Sequence, residues 1–392
     1  LTKILSANSI SKKALLLHKK HKGKIAISSK IPNLKRKDMQ LIYTPGVAAV
    51  SKEIFSHPPQ KYSLTSKANM VAIVTDGTRL LGLGNVGPYA AIPVMEGKSV
   101  LYKKFGGVDA FPICLNTTKK EEIISVILAI EPIFGAINLE DIESPKVIEI
   151  SEELEKRMSI PIFHDDRHGT SVVVLAALLN SLKLVRKQLA SAKIIIVGAG
   201  SAGYGICKLL KFAGCKNIIV VDSAGAIFKG RDKDMSKYKK EIAIITNPKK
   251  ERGTLPEVLS GADVFIGVSG VKNLLTSEMV KSMNKDAIVF ALTNPDPEIN
   301  PKLAQKSGAR IVATGSYQYQ NKVNNALVFP YLMRSILDYR IKKISLDLLL
   351  AASKAISKTV TNAKLSYNHI IPEIGDKSLH KNISLAVAKF RK

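Results

Sequence analysis

Between Ala192 and Gly225 the chain reads AKIIIVGAGSAGYGICKLLKFAGCKNIIVVDSAG, two unbroken apolar runs around a glycine-rich turn and a stretch of helical period. Apolar strands of this kind have no polar face to offer water, so they demand a parallel sheet covered by helices on both sides. The unit recurs in VFIGVSG at 264–270, AIVFALTNP at 287–295 and ARIVATG at 309–315, each preceded by a helix candidate, TLPEVLSGA, TSEMVKSMN and PKLAQKSG. The expected architecture is therefore α/β with a doubly wound parallel sheet. The first 165 residues are organised differently. There VAIVTDG, LLGLG, EEIISVILAIEP, FGAINLED and IPIFHDD alternate with glycine-rich turns and predict a smaller mixed α/β domain. We place the domains at 1–165 and 166–392, with a long helix beginning near Gly169 as the bridge. Residues from about 330 to 392 read as helical, and KKISLDLLLAASKAISKTV is apolar at helical spacing, so this segment should pack back across the sheet or onto the first domain. No low-complexity linker intervenes, and the two domains should close around a cleft.

Composition narrows the function. With 392 residues, 46% of them hydrophobic, two substantial cores are affordable. The net charge of +27 admits nucleic acid, an anionic membrane or small anions as partners. But 48 of the 59 basic residues are lysines, which read bases and grip phosphate less well than arginine, and many of them read as sitting one by one on outer helix faces. No nucleic-acid partner is expected. Residues 1–37 hold eleven basic residues and no acid, yet their apolar run, ALLL, is too short for a signal-peptide core, and a surface helix is expected. The longest apolar helical pattern, SVVVLAALLNSLKLV, breaks at Asn180 and Lys183, short of a membrane span. Three cysteines without ligand spacing suit a reducing compartment, so the expected location is cytoplasmic.

Gly198, Gly200 and Gly203, with Ser201 and Ala202 between them, fit the strand, turn and helix that set a pyrophosphate against helix N-terminal amides in a Rossmann-type fold. Asp222 ends the next strand, where a carboxylate accepts hydrogen bonds from a ribose diol; this favours NAD over NADP, although SAGAIFKGR carries a lysine and an arginine that would suit the other cofactor. Asp165 and Asp166 end one strand, and Glu140 and Asp141 another. Adjacent strand residues face opposite ways, so at least one of each pair should face the cleft. Crowded carboxylates call for a hard divalent cation such as Mg2+ or Mn2+, while helix capping by Asp165 or Asp166 is the structural alternative. His164 and His168 lack further nitrogen or sulfur ligands, and a buried hydrogen-bonded role for one of them is preferred to zinc. Tyr43 in YTPGVA and Lys98 in MEGKSVLYKKFGG would form an acid/base pair if the lysine's pKa were brought down toward neutrality. Arg79 suits a substrate carboxylate, and Asn294, Asn324 and Asn325 suit a carboxylate or nicotinamide.

These segments together resemble the malic enzymes, in their short prokaryotic form, along nearly the whole chain: YTPGVA, TDGTRLLGLGNVGP, PVMEGKSVLYKKFGGVDAFPI, INLEDI, IPIFHDDRHGT, GAGSAG, NIIVVD, ALTNPDPEI and VNNALVFP. The resemblance implies oxidation of L-malate at C2 with NAD(P), decarboxylation to pyruvate and CO2, and dependence on Mn2+ or Mg2+. It puts the catalytic lysine at Lys98, with Asp165 beside it, and the catalytic tyrosine at Tyr43. The metal ligands fall on Glu140, Asp141 and Asp166, and malate contacts on Arg79, Asn325 and Asn294. A homodimer is implied, in some short forms with a site completed across subunits. The chain departs from the family where Arg167 stands for a common glutamine, where GSYQYQNKVNN replaces a loop near the cofactor, and where Tyr331 replaces a glycine. Malolactic or oxaloacetate-decarboxylating activity on the same scaffold is the alternative, and a non-catalytic nucleotide-binding regulatory protein is the alternative from another class.

Overall fold

A computed structural model of the chain describes residues 7–80, 83–316 and 318–391; Leu81 and Gly82 of the LLGLG run and Tyr317 of the divergent loop lie outside the described residues. Four parallel strands, β1 (Met70–Thr75), β2 (Asp109–Cys114), β3 (Ala136–Leu139) and β4 (Ile162–His164), form a first sheet in the order β2-β1-β3-β4. Val71 to Val74 of β1 are fully buried, as a central strand covered on both faces must be. The segment EEIISVILAIEP forms the helix Lys120–Ile130, which buries Ile123, Ile124 and Ile127.

The second sheet has six strands, β5 (Lys193–Val197), β6 (Asn217–Asp222), β7 (Gly225–Ala226), β8 (Val264–Gly267), β9 (Ile288–Ala291) and β10 (Ile311–Thr314), ordered β10-β9-β8-β5-β6-β7. All pair in parallel except the two-residue β7. Ile194, Ile196, Ile218 and Val220 enter the core shared with the first sheet, while Ile195, Val197, Ile219 and Val221 enter a second core on the other face. Period-2 alternation between two apolar interiors is why these strands read as unbroken hydrophobic runs. The chain leaves β5 to one side for β6 and to the other for β8, so a crevice opens beyond the carboxyl ends of β5 and β8, where such sheets bind ligands.

The helix Thr170–Leu184 links β4 to β5, and eleven of its residues are buried. The C-terminal segment packs in both of the ways expected of it. Leu346–Thr359 lies on Thr170–Leu184, and Phe329–Asp338 lies on Gly87–Gly106 of the first domain. The latter approach is close enough that a Cβ on Gly106 would stand 2.4 Å from the Pro330 carbonyl oxygen. Tyr331 reinforces it, with its ring centroid 6.3 Å from that of Phe105, while its hydroxyl accepts from the Gly375 amide at 3.0 Å. The N-terminal stretch is different. The helices Ala7–His21 and Gly46–Ser56 and the turns around them bury no residue among the described side chains before Lys67, and Leu15, Leu16, Ile27, Leu41 and Phe55 are exposed.

Candidate active site

A cavity of about 760 Å3 lies between the two sheets and gathers Arg79, Lys98, Glu140, Asp141, Asp165, Asp166, Ala202, Asn294, Asn324 and Asn325. The first domain supplies its charged wall. Lys98 projects from the helix Gly87–Gly106, whose i and i+4 positions place Tyr102 beneath it. Glu140 and Asp141 follow β3, and Asp141 adopts a left-handed φ of 50° that lets its carbonyl oxygen accept from the Arg79 amide at 3.1 Å. Asp165 and Asp166 follow β4 in the π-helical turn Asp165–Gly169. Because the strand has ended and a helical turn has begun, neither acid is sent to the opposite face, and both line the cavity. A Cβ on Gly169 would lie 2.4 Å from Asp165 Oδ1, so the glycine makes room for that carboxylate.

The Lys98 ammonium donates to Asp165 Oδ2 and to Glu140 Oε2, both at 2.6 Å, and sits 4.2 Å over the Phe329 ring. Asp165 Oδ2 also accepts from Asn325 Nδ2 at 3.1 Å, and the Asn325 side-chain oxygen accepts from Thr170 Oγ1 at 3.1 Å. Burial alone would lower the lysine pKa, but the two carboxylates overcome it and push the amine above its ordinary value. The condition set for an acid/base lysine, a pKa brought down toward neutrality, is therefore not met in this arrangement: two acids at hydrogen-bond distance hold the proton on. Glu140 is raised well above the usual carboxylate range by burial, an effect that Lys98 reduces and that Asp165, Asp141 and Asp166 add to. Burial and then Asp166 push Asp141 up to about 7, and burial and then Asp165 raise Asp166. Among the described residues, however, no three of the histidine, cysteine, aspartate and glutamate side chains are drawn together tightly enough to hold a metal ion.

A second cavity, of about 1180 Å3, continues past Arg79 along the ends of β5 and β6 and is lined by Gly198, Gly200 and Asp222. Gly198 has a φ of +115°, and a Cβ on Gly203 would stand 1.8 Å from the Gly198 carbonyl oxygen, which is why the turn and the helix Ser201–Phe212 admit only glycine at these points. Ser201 and Gly203 are buried under the turn, and the Ser201 hydroxyl has no hydrogen-bond partner among the described residues. Asp222 is not free. Arg231 grips it with Nη1 to Oδ1 at 2.8 Å and Nη2 to Oδ2 at 2.5 Å, and Lys239 reaches Oδ2 at 2.8 Å.

Tyr43 stands apart from all of this. It follows the short helix Met39–Ile42, is 69% exposed, and does not line the cavity that holds Lys98. Arg167 turns away as well: its guanidinium meets Glu155 Oε1 at 2.7 Å and His168, so its charge is balanced outside the cavity. His168 Nδ1 accepts from the His164 amide at 3.2 Å, and burial followed by the Arg167 charge depresses both histidines. Sequence reasoning missed Tyr102 and Asn138, which lie behind the acids. The Tyr102 hydroxyl donates to Asn138 Oδ1 at 2.6 Å, and Asn138 Nδ2 donates to Glu140 Oε2 at 3.0 Å. A signal existed for Asn138, a polar residue inside the apolar run AINLE and two places before Glu140, hence on the same side of the strand.

Comparison with known proteins bears on the same two halves. The sequence profile of the malic enzyme N-terminal domain matches residues 20–155, and that of the malic enzyme NAD binding domain matches residues 168–391. The chain belongs to the malic enzyme family. It is 48% identical to the bifunctional malic/malolactic enzyme of Bacillus subtilis, over 97% of this chain and 93% of that protein. It is also 48% identical to the NAD-dependent malic enzyme of Geobacillus stearothermophilus, over 97% and 79% of the two chains. The crystal structure of the NAD-dependent malic enzyme of Thermotoga maritima superposes with a TM-score of 0.92 at 44% identity, covering 98% of this chain and 99% of that one. This malic enzyme is accordingly an oxidoreductase that couples oxidative decarboxylation of malate to reduction of NAD(P). No described helix is long and apolar enough to cross a membrane.

Proposed function

We propose that the substrate is L-malate and the products pyruvate and CO2, with NAD the preferred cofactor, and that the chemistry occurs in the cavity around Lys98. The observation that carries this reading is the contact of Lys98 with both Asp165 and Glu140 beside the opening between β5 and β8, within one cavity with Arg79 and three asparagines. Arg79, Asn325 and Asn294 hold the substrate's carboxylates. Lys98, positioned by Asp165, takes the proton of the C2 hydroxyl, gives it back to the same oxygen as CO2 leaves to form the enol, and takes it off again when C3 is protonated, so that the C2 carbonyl of pyruvate forms. Gly198, Gly200, Ser201, Ala202, Gly203 and Asp222 would hold the dinucleotide at the glycine turn, with Asn294 and Asn324 toward its nicotinamide, which would supply the hydride acceptor for C2.

A divalent ion, Mn2+ or Mg2+, belongs to the proposal, held by Glu140, Asp141 and Asp166. The donor chemistry suits such an ion although the three side chains are not drawn tightly around one point among the described residues: burial raises all three carboxyl groups in a cavity whose lining cations are Lys98 and Arg79, and all offer the oxygen ligands such ions prefer. When bound, the ion supplies Lewis acidity toward the C2 oxygen. Engaging Glu140 in this way also leaves Asp165 as the principal partner of Lys98, which relieves the upward pressure on the amine and frees it to act as a base.

Tyr43, the acid that protonates C3, is assigned to the site of a second copy in a homodimer. Its exposure and the many large apolar side chains left open along the N-terminal stretch support this, because such side chains suit an association face. The domain boundary at 165/166 and a cytoplasmic location, for which three free thiols speak, complete the proposal. Malolactic conversion is the second reading, favoured by the bifunctional Bacillus relative. Absorbance of reduced cofactor with L-malate, run with NAD or NADP and with Mn2+ or a chelator, tests the reading. NADH formed in step with pyruvate supports it, and lactate formed without NADH favours the second.

A further inference from the structure

Glu298 is fully buried, at 0% exposure, in the segment TNPDPEI that follows β9. Four hydrogen bonds converge on its carboxylate, and none comes from a cation. Ser269 donates from its amide and from its hydroxyl to Oε1, each at 3.3 Å; Thr293 donates from its hydroxyl to Oε1 at 2.5 Å and from its amide to Oε2 at 3.2 Å. The network runs one step further on each side: Thr293 Oγ1 accepts from the Gly270 amide at 3.0 Å, and Ser269 Oγ from the Val271 amide at 3.1 Å. One side chain thus ties the loop after β8 to the loop after β9. Space has been cleared for it, since a Cβ on Gly267 would stand 2.4 Å from the Glu298 carboxyl carbon. A buried carboxylate is costly unless donors gather on it, and an apolar side chain would fill the same space more cheaply. What the carboxylate adds is a fixed distance between two loops.

Those loops are where the two cavities meet. Ser269 and Val271 line the cofactor cavity, while Gly270, Thr293 and Asn294 line the substrate cavity. We propose that Glu298 is a positioning residue that locks the loops after β8 and β9 in the register at which nicotinamide and malate meet. The proposal rests on the functional reading above. It places catalytic consequence on a residue that touches neither ligand. A glutamine has one acceptor oxygen and one donor nitrogen, so Glu298→Gln keeps the shape but turns an N–H toward either the Thr293 amide or the hydroxyl cluster.

The test compares the wild type with Glu298→Gln and with Thr293→Val, which removes the hydroxyl bridging Glu298 and the Gly270 amide. Readouts are kcat, KM for malate and for NAD, the thermal midpoint, and NADH binding by fluorescence titration. The expected result is a kcat lower by roughly 10²-fold in folded protein, with the malate KM much less affected, because misplacement by about 1 Å costs the reaction more than it costs binding. A lowered thermal midpoint with unchanged kcat would mean that Glu298 only supports the fold, and it overturns the proposal. If the wild type itself fails to reduce cofactor with malate, the functional reading falls, and NADH titration then decides for Glu298 separately: affinity weakened about tenfold or more in both variants sustains its positioning role, and unchanged affinity ends it.

Discussion

Arg231 and Lys239 surround the Asp222 carboxylate, and on the proposed reading the balance among these three side chains would set cofactor preference. Asp222 alone repels a 2′-phosphate; with two cations at 2.5–2.8 Å the local charge is positive, and the arginine fork suits phosphate oxygens. Arg231→Ala with Lys239→Ala should therefore lower kcat/KM for NADP by about tenfold or more while NAD use falls by less, a difference that parallel initial-rate measurements with the two cofactors will show. The acids that line the cavity were legible in the sequence as adjacent pairs at the ends of apolar strands, and the asparagines through the motifs ALTNPDPEI and VNNALVFP that carry the family resemblance. The charge state of Lys98 was not, since it depends on the Asp165 and Glu140 oxygens, 67 and 42 residues away in the chain, arriving together at 2.6 Å. Glu298 was equally hidden: in the sequence it is one acid in a turn-rich segment, and only the fold surrounds it with donors.

Among the elements, the strands of the second sheet were readable from their apolar runs. The two-residue β7 left no periodic signal, being too short to have one. The start of β5 is fastened by Asp263, which accepts from Lys187 Nζ at 2.7 Å, Asn284 Nδ2 at 3.0 Å and the Lys193 amide at 2.8 Å. Burial alone would raise this carboxyl, but these hydrogen bonds outweigh it and hold the pKa below the ordinary 3.8. A depressed carboxylate contributes its stability above the unfolded value and loses it as pH falls through the folded one. Asp263→Asn should thus be less stable than the wild type by about 1–3 kcal/mol near neutrality. Urea denaturation at a series of pH values should show that gap closing only below the ordinary aspartate range.

For the whole molecule, the cleft between the two sheets gathers most of the site, and the N-terminal stretch leaves Tyr43 and much apolar surface outside it. Closure between domains was legible because no flexible linker separates them; the displacement of Tyr43 was not, because a sequence motif records neighbours in the chain and not which copy they serve. If a homodimer completes each site, inactive Lys98→Met and Tyr43→Phe chains, unfolded together and refolded as a mixture, should recover up to about a quarter of wild-type activity through hybrid dimers with one intact site. Tyr43 acting within its own chain would give no recovery. The central claim is that Lys98, in the cleft at the ends of β5 and β8, moves the proton that malate oxidation requires. The rate of L-malate-dependent NADH formation in Lys98→Met tests it most directly, with fold checked by thermal midpoint and cofactor binding by NADH titration. The account predicts a loss of roughly 10²- to 10⁴-fold in turnover with NADH still bound; turnover near the wild-type rate in that variant would contradict it.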